Sequence, residues 1–178
     1  MSFAFSRRSF LKYTAVAAVA VAGASLFTGC KIDTSDSYNA LRTTPGELTV
    51  LQVTAAMGTY VEASKSYTAP DVTGKTIAFP FKITNGRANP IYVNPNNFKA
   101  TVLNDKDEVI AKYTAINGLT LDPLLCDTNL KKGASVSGNV NLTLDAALEP
   151  GQSIVLTYCP DLQYNEYSLN WKTTCPEG

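Results

Sequence analysis

Strict alternation from Thr76 to Asn85 constrains this chain more than any other feature. Ile77, Phe79, Phe81 and Ile83 fall at one parity, and Ala78, Pro80, Lys82 and Thr84 at the other. A period of two sends successive side chains to opposite faces of a strand, so this segment buries one face and wets the other. The period recurs with Phe98, Ala100 and Val102 in Asn97–Leu103, and with Val109, Ala111 and Tyr113 in Glu108–Ala115. Val136, Val140, Leu142 and Leu144 carry it through Ser135–Leu144, and Ile154, Leu156 and Tyr158 through Ser153–Tyr158. Glu47–Met57, Pro90–Val93 and Tyr164–Lys172 read as further strands, and no long helical period interrupts them. Asn85-Gly86, the polar tip Asn104-Asp105-Lys106-Asp107 and Pro150-Gly151 supply turns. Short strands at regular spacing predict an all-β fold, a β-sandwich of about 7–8 strands. Pro80 lacks an amide donor and marks a sheet edge or a bulge. Gly138 stands in register where a side chain would be crowded, and Trp171 is expected in the core.

The N-terminus reads as an address. Ser6-Arg7-Arg8-Ser9-Phe10-Leu11-Lys12 precedes an apolar stretch from Ala15 to Phe27 and resembles a twin-arginine export signal, with Arg7 and Arg8 as the pair read by the translocase. The stretch is shorter than the roughly 20 residues that span a bilayer. Phe27-Thr28-Gly29-Cys30 resembles a lipobox with Phe27 in place of the usual Leu, which makes Cys30 the expected lipidation site; cleavage nearby and release is the alternative. The expected organisation is a signal peptide over residues 1–29, a flexible tether over 30–46 and one domain over 47–178. Losing Arg7, Arg8 and Lys12 with the signal takes an overall charge of zero to −3. Such a surface has no steering toward nucleic acid or anionic lipid, so no nucleic-acid partner is expected and membrane attachment falls to the lipid on Cys30.

The chain has no histidine, which removes Ser-His-Asp and Cys-His catalysis and imidazole metal sites together. No metal and no cofactor is expected. Asp105, Asp107 and Glu108 crowd a hairpin tip as calcium ligands would, but the spacing of an EF-hand is not completed and a solvated turn is favoured. Asp122 and Asp127 form no carboxylate pair that the sequence can bring to one site, so an enzyme is not expected. With Cys30 lipidated, Cys126, Cys159 and Cys175 remain, enough for one bridge outside the cytoplasm. A hairpin joining Ser135–Leu144 to Ser153–Tyr158 would favour Cys126–Cys159, with Cys126–Cys175 second.

The strand ending in Thr84-Asn85, the run Asn97-Phe98-Lys99-Ala100-Thr101-Val102-Leu103 with its Asn104–Glu108 hairpin, Leu130–Gly138 and Glu149–Tyr158 together resemble a known group. They are similar to the immunoglobulin-like domains of unknown function found in exported lipoproteins of Gram-positive bacteria, which share the fold of a secreted immunoprotective antigen of mycobacteria. The resemblance runs from Glu47 to Tyr158 and implies an immunoglobulin-like sandwich without a catalytic residue. The expected function is a non-enzymatic module, extracytoplasmic and held on the cell membrane, that binds a protein or an envelope glycan. The alternative is an accessory lipoprotein that captures a small ligand for a membrane partner. Tyr60, Tyr67, Tyr92, Tyr113, Tyr158, Tyr164 and Tyr167 include the contact residues such a module would use.

Overall fold

The structure, a computed structural model, describes residues 39–126, 128–162 and 167–177. Among these residues the chain forms fourteen strands: β1 (Asn39–Arg42), β2 (Gly46–Val50), β3 (Val53–Met57), β4 (Thr59–Val61), β5 (Ser66–Thr68), β6 (Thr76–Asn85), β7 (Ile91–Val93), β8 (Phe98–Leu103), β9 (Val109–Tyr113), β10 (Leu119–Leu121), β11 (Thr128–Leu130), β12 (Ser135–Thr143), β13 (Ser153–Tyr158) and β14 (Ser168–Thr174). Two five-stranded sheets, ordered β1-β14-β13-β8-β9 and β10-β12-β6-β3-β2, make the expected β-sandwich. Two-stranded ribbons, β7-β11 and β4-β5, are added to it. Among the described residues no helix is long and apolar enough to cross a membrane.

The alternation in β6 does what its period dictates, with Ile77, Phe79, Phe81 and Ile83 buried. Phe81 meets Trp171 of β14 edge-to-face at 5.1 Å and Phe98 of β8 at 5.5 Å, so one ring joins both sheets. Phe98 in turn lies 4.9 Å from Tyr158 of β13. Trp171 is fully buried, and its indole Nε1 donates to the Gly46 carbonyl of β2 at 2.9 Å, a bond from one sheet to the other. A Cβ on Gly138 would sit 2.8 Å from Leu125 Cγ, which is the crowding the register implied.

The sandwich departs from the sequence reading in three places. The stretch read as tether enters a sheet at Asn39, where β1 runs parallel to β14. Its polar side chains find partners there: Ser168 Oγ donates to Asn39 Oδ1 at 2.8 Å, and Asn170 Nδ2 donates to the Ala40 carbonyl at 3.0 Å. Glu47–Met57 is two strands rather than one. Leu51 and Gln52 turn the chain with φ of 49° and 60°, a left-handed pair made without the Asn or Gly that usually signals such a hairpin.

The third departure concerns the thiols. β12 pairs with β6 and β10, whereas β13 pairs with β8 and β14, so the two strands expected to form a hairpin lie in opposite sheets. The expected Cys126–Cys159 bridge is not formed, and Cys126, Cys159 and Cys175 are all free. Cys126 belongs to the turn after β10, where its amide donates to the Asp122 carbonyl at 3.2 Å. Cys159 follows β13, and its amide donates to the Asn97 carbonyl at 2.8 Å. Cys159 and Cys175 stand beyond opposite ends of the six-residue β13, since Ser153 pairs with Thr174 and Tyr158 with Leu169. At about 3.3 Å per residue the ends of that strand are too far apart for a disulfide.

Candidate functional site

A cleft on the outer face of the β10-β12-β6-β3-β2 sheet begins with Pro80. In an antiparallel ladder the N–H and C=O of one residue point the same way, and Gly58 donates to the Pro80 carbonyl at 2.9 Å. The donor that proline lacks therefore faces β3, and the pairing of β6 with β12 continues from Thr76 to Thr84 without loss. Pro80 thus sits in an interior strand, at the point where its β3 neighbour leaves. The departure occurs at Gly58, with φ of +106°, where a Cβ would come within 2.6 Å of the Thr68 carbonyl. The chain then rises as the hairpin β4–β5.

That hairpin carries two aromatic rings over the sheet. Tyr60 and Tyr67 are opposed across the ribbon with centroids 5.1 Å apart and planes at 59°. Tyr67 Oη donates to Glu47 Oε1 at 2.8 Å, which fixes the hairpin to β2. Pairing registers place Glu47, Ala56, Lys82 and Ser137 in one outward row across β2, β3, β6 and β12. Ala56 is buried even though it faces outward, as expected where the hairpin folds down on the sheet. The next row contains Thr49, Thr54, Thr84 and Ser135, with hydroxyl contacts of 2.9 Å between the first two and 2.8 Å between the last two. Between the rings and the floor of Pro80, Lys82 and Asn139 lies an open cleft of about 570 Å³.

Burial raises the Tyr67 phenol most, and the hydrogen bond to Glu47 and its negative charge add to this, with Tyr60 a further contributor; the pKa moves from 10.0 to about 12. A raised phenol favours folding below its unfolded value, and that contribution is lost as pH rises from about 10 toward 12. An ultraviolet titration of phenolate in the parent and in Tyr67→Phe should therefore assign Tyr67 a transition later than that of an ordinary phenol. Glu47→Gln, which removes the charge, should bring the later transition down; an unchanged curve would mean that Glu47 does not act on Tyr67.

Arg7, Arg8 and Cys30 lie outside the described residues, as do Asp127 and Tyr164. At the hairpin tip, Glu108 Oε2 accepts from Asn104 Nδ2 at 2.8 Å, and Asp107 pairs with Lys172. These carboxylates hold the turn together, and the described residues contain no cluster of three or more metal-ligating side chains. Asp122 caps the turn that follows β10, its Oδ1 accepting from the Leu124 amide at 3.1 Å. Tyr113 and Tyr158 are buried, whereas Tyr60 and Tyr92 are about half exposed. Tyr92 borders a second hollow of about 350 Å³, near the Arg87–Asp161 ion pair at 3.1 Å. Lys82 and Asn139 were not singled out by the sequence, because nothing in it shows that the hairpin stands beside them.

No family model matches the chain, and no curated protein does. Several solved structures are similar to it. The ycdA protein of Bacillus subtilis, a candidate lipoprotein, is 15% identical with a TM-score of 0.45 over 74% of this chain and 39% of that one. This chain therefore spans well under half the length of that protein. An uncharacterised β-sandwich protein of Clostridium difficile is 6% identical with a TM-score of 0.43, covering 76% of this chain and 93% of that one. A family 123 glycoside hydrolase of Clostridium perfringens is 12% identical with a TM-score of 0.40, covering 69% of this chain and 27% of that one. At these identities the likeness concerns the fold and not the chemistry of any site.

Proposed function

We propose that the protein is exported by the twin-arginine route, anchored to the outer face of the cell membrane by a lipid on Cys30, and acts there as a non-enzymatic interaction module. The observation that carries this reading is the cleft under the Tyr60–Tyr67 hairpin. Its Glu47 is already engaged by Tyr67, and Lys82 stands on an open floor. This arrangement suits adhesion along a surface. The space between the sheets is filled by Phe81, Phe98, Tyr158 and Trp171, which supports a reading in which partners are met on the outside of the sandwich. The sheet begins at Asn39, and even fully extended the residues from Lys31 to Tyr38 reach at most about 28 Å. With Cys30 lipidated, that reach supports a module that works close to the membrane.

Detergent-phase partitioning and intact-mass measurement test the anchor. The native chain should partition with detergent and begin at a lipid-modified Cys30. Cys30→Ser should lose the lipid mass and leave the detergent phase, and replacing Arg7 and Arg8 together by Lys should leave a cytoplasmic precursor. An unmodified N-terminus downstream of Cys30 would overturn the proposal.

A further inference from the structure

We infer that the outer face of the β10-β12-β6-β3-β2 sheet, with the Tyr60–Tyr67 cleft, binds an uncharged polysaccharide chain. The inference deepens the interaction-module reading by naming the ligand. It rests on the chemistry that the registers bring to this face.

Alternation along β2, β3, β6, β10 and β12 turns every large aliphatic side chain inward. What remains outside is mainly hydroxyl and amide: the Thr49-Thr54-Thr84-Ser135 row, Ser137, and the two amides Asn139 and Asn141. Alanine and Pro80 are the apolar exceptions. The apolar surface here is confined to the cleft, at Tyr60, Tyr67 and Pro80, a narrower patch than the broad apolar centre that docking surfaces between proteins normally supply. Every buried hydroxyl must also recover a hydrogen bond that it loses to water. A polyhydroxylated chain presents donors and acceptors at close intervals and meets that requirement.

The charges agree. Among the described residues, the outward positions of these five strands carry one cation, Lys82, and one anion, Glu47, in the same row and separated by Ala56. Together they are neutral, so a polyanion gains little here. A sugar can give its hydroxyl protons to the carboxylate and accept from the ammonium, in charge-assisted bonds stronger than neutral ones. Tyr60 supplies the apolar element, an exposed ring on the rigid hairpin against which the C–H face of a pyranose can lie. The cleft is open, as an internal segment of a long polymer requires. Pro80 keeps it so by ending the β3–β6 ladder and releasing the hairpin that holds the ring.

Native electrophoresis of the purified full chain through gels containing soluble glucan, mannan, xylan or polygalacturonate tests the inference. At least one of the three uncharged polymers should retard the protein, with retardation unchanged in 0.5 M salt as expected for a neutral ligand. Tyr60→Ala and Lys82→Met should each weaken it about tenfold, while Tyr92→Ala, at the other hollow, should not. Melting temperatures within about 2 °C of the parent would show that the variants are folded. The inference fails if no uncharged polymer retards the chain, if only polygalacturonate does so in a salt-sensitive way, or if both cleft variants bind as the parent does. Loss of the lipid at Cys30 would leave this binding intact, so the two proposals can fail separately.

Discussion

Trp171→Ala should cost about 3–5 kcal/mol, the range for removing a fully buried large aromatic side chain, and lower the melting temperature by roughly 10–20 °C. Three separate losses are concentrated at this residue. The first is the buried indole itself, which is 0% exposed. The second is the edge-to-face contact with Phe81, which links the two sheets at 5.1 Å. The third is the 2.9 Å bond to the Gly46 carbonyl, whose oxygen would be left without this partner at the start of β2. Phe at the same position keeps an aromatic ring but not the donor, so Trp171→Phe should lose only about 1–2 kcal/mol. Chemical denaturation followed by circular dichroism measures both. If the alanine variant lies within about 1 kcal/mol of the parent, the indole is not the bridge between the sheets.

Trp171 also shows what the sequence makes readable. A lone Trp at the alternating position of a β-rich segment is a core residue by size and period, and the structure buries it. The inward face of β6, the Asn104–Glu108 hairpin and the crowded Gly138 were legible for the same reason, because each is set by a rule acting over a few residues. Sheet membership is not such a rule. β12 and β13 have the same alternation and are joined by Pro150-Gly151, and nothing local says that the turn carries the chain from one layer to the other. The misplaced cysteine bridge followed from that gap. β1 went unread because it is a short polar edge strand, held by Asn39, Ser168 and Asn170 through contacts about 130 residues apart in sequence. The cleft was half legible. Tyr60 and Tyr67 could be noted as contact residues and Pro80 as an interruption of pairing, but that Pro80 releases the hairpin which carries the tyrosines appears only once Gly58 is seen to bond to it.

Asn85 should be the second most sensitive position, though as part of Asn-Gly it reads as an ordinary exposed turn residue. Its side chain is completely buried. Nδ2 donates to the Asn89 carbonyl at 3.0 Å and to the Leu130 carbonyl at 2.9 Å, while Oδ1 accepts from the Arg87 amide at 2.8 Å. One amide thereby ties the end of β6 to the loop before β7 and to the end of β11. Asn85→Ala would leave two carbonyls and an amide without these partners, and at about 1–3 kcal/mol for each buried group that loses its bond, a net loss of about 3–4 kcal/mol is expected after partial hydration. Asn85→Asp sharpens the test. Its carboxylate can still accept from Arg87 but faces two carbonyl oxygens with no proton to offer, so the folded state should raise its pKa above the unfolded value near 4. A raised carboxyl pKa stabilises most when the acid is protonated, so the deficit of Asn85→Asp against the parent should be smallest at acid pH. It should grow as pH rises through the folded-state pKa. Denaturation midpoints of the two proteins at pH 4 and pH 7 measure this, and a deficit independent of pH would show that the amide donates to neither carbonyl.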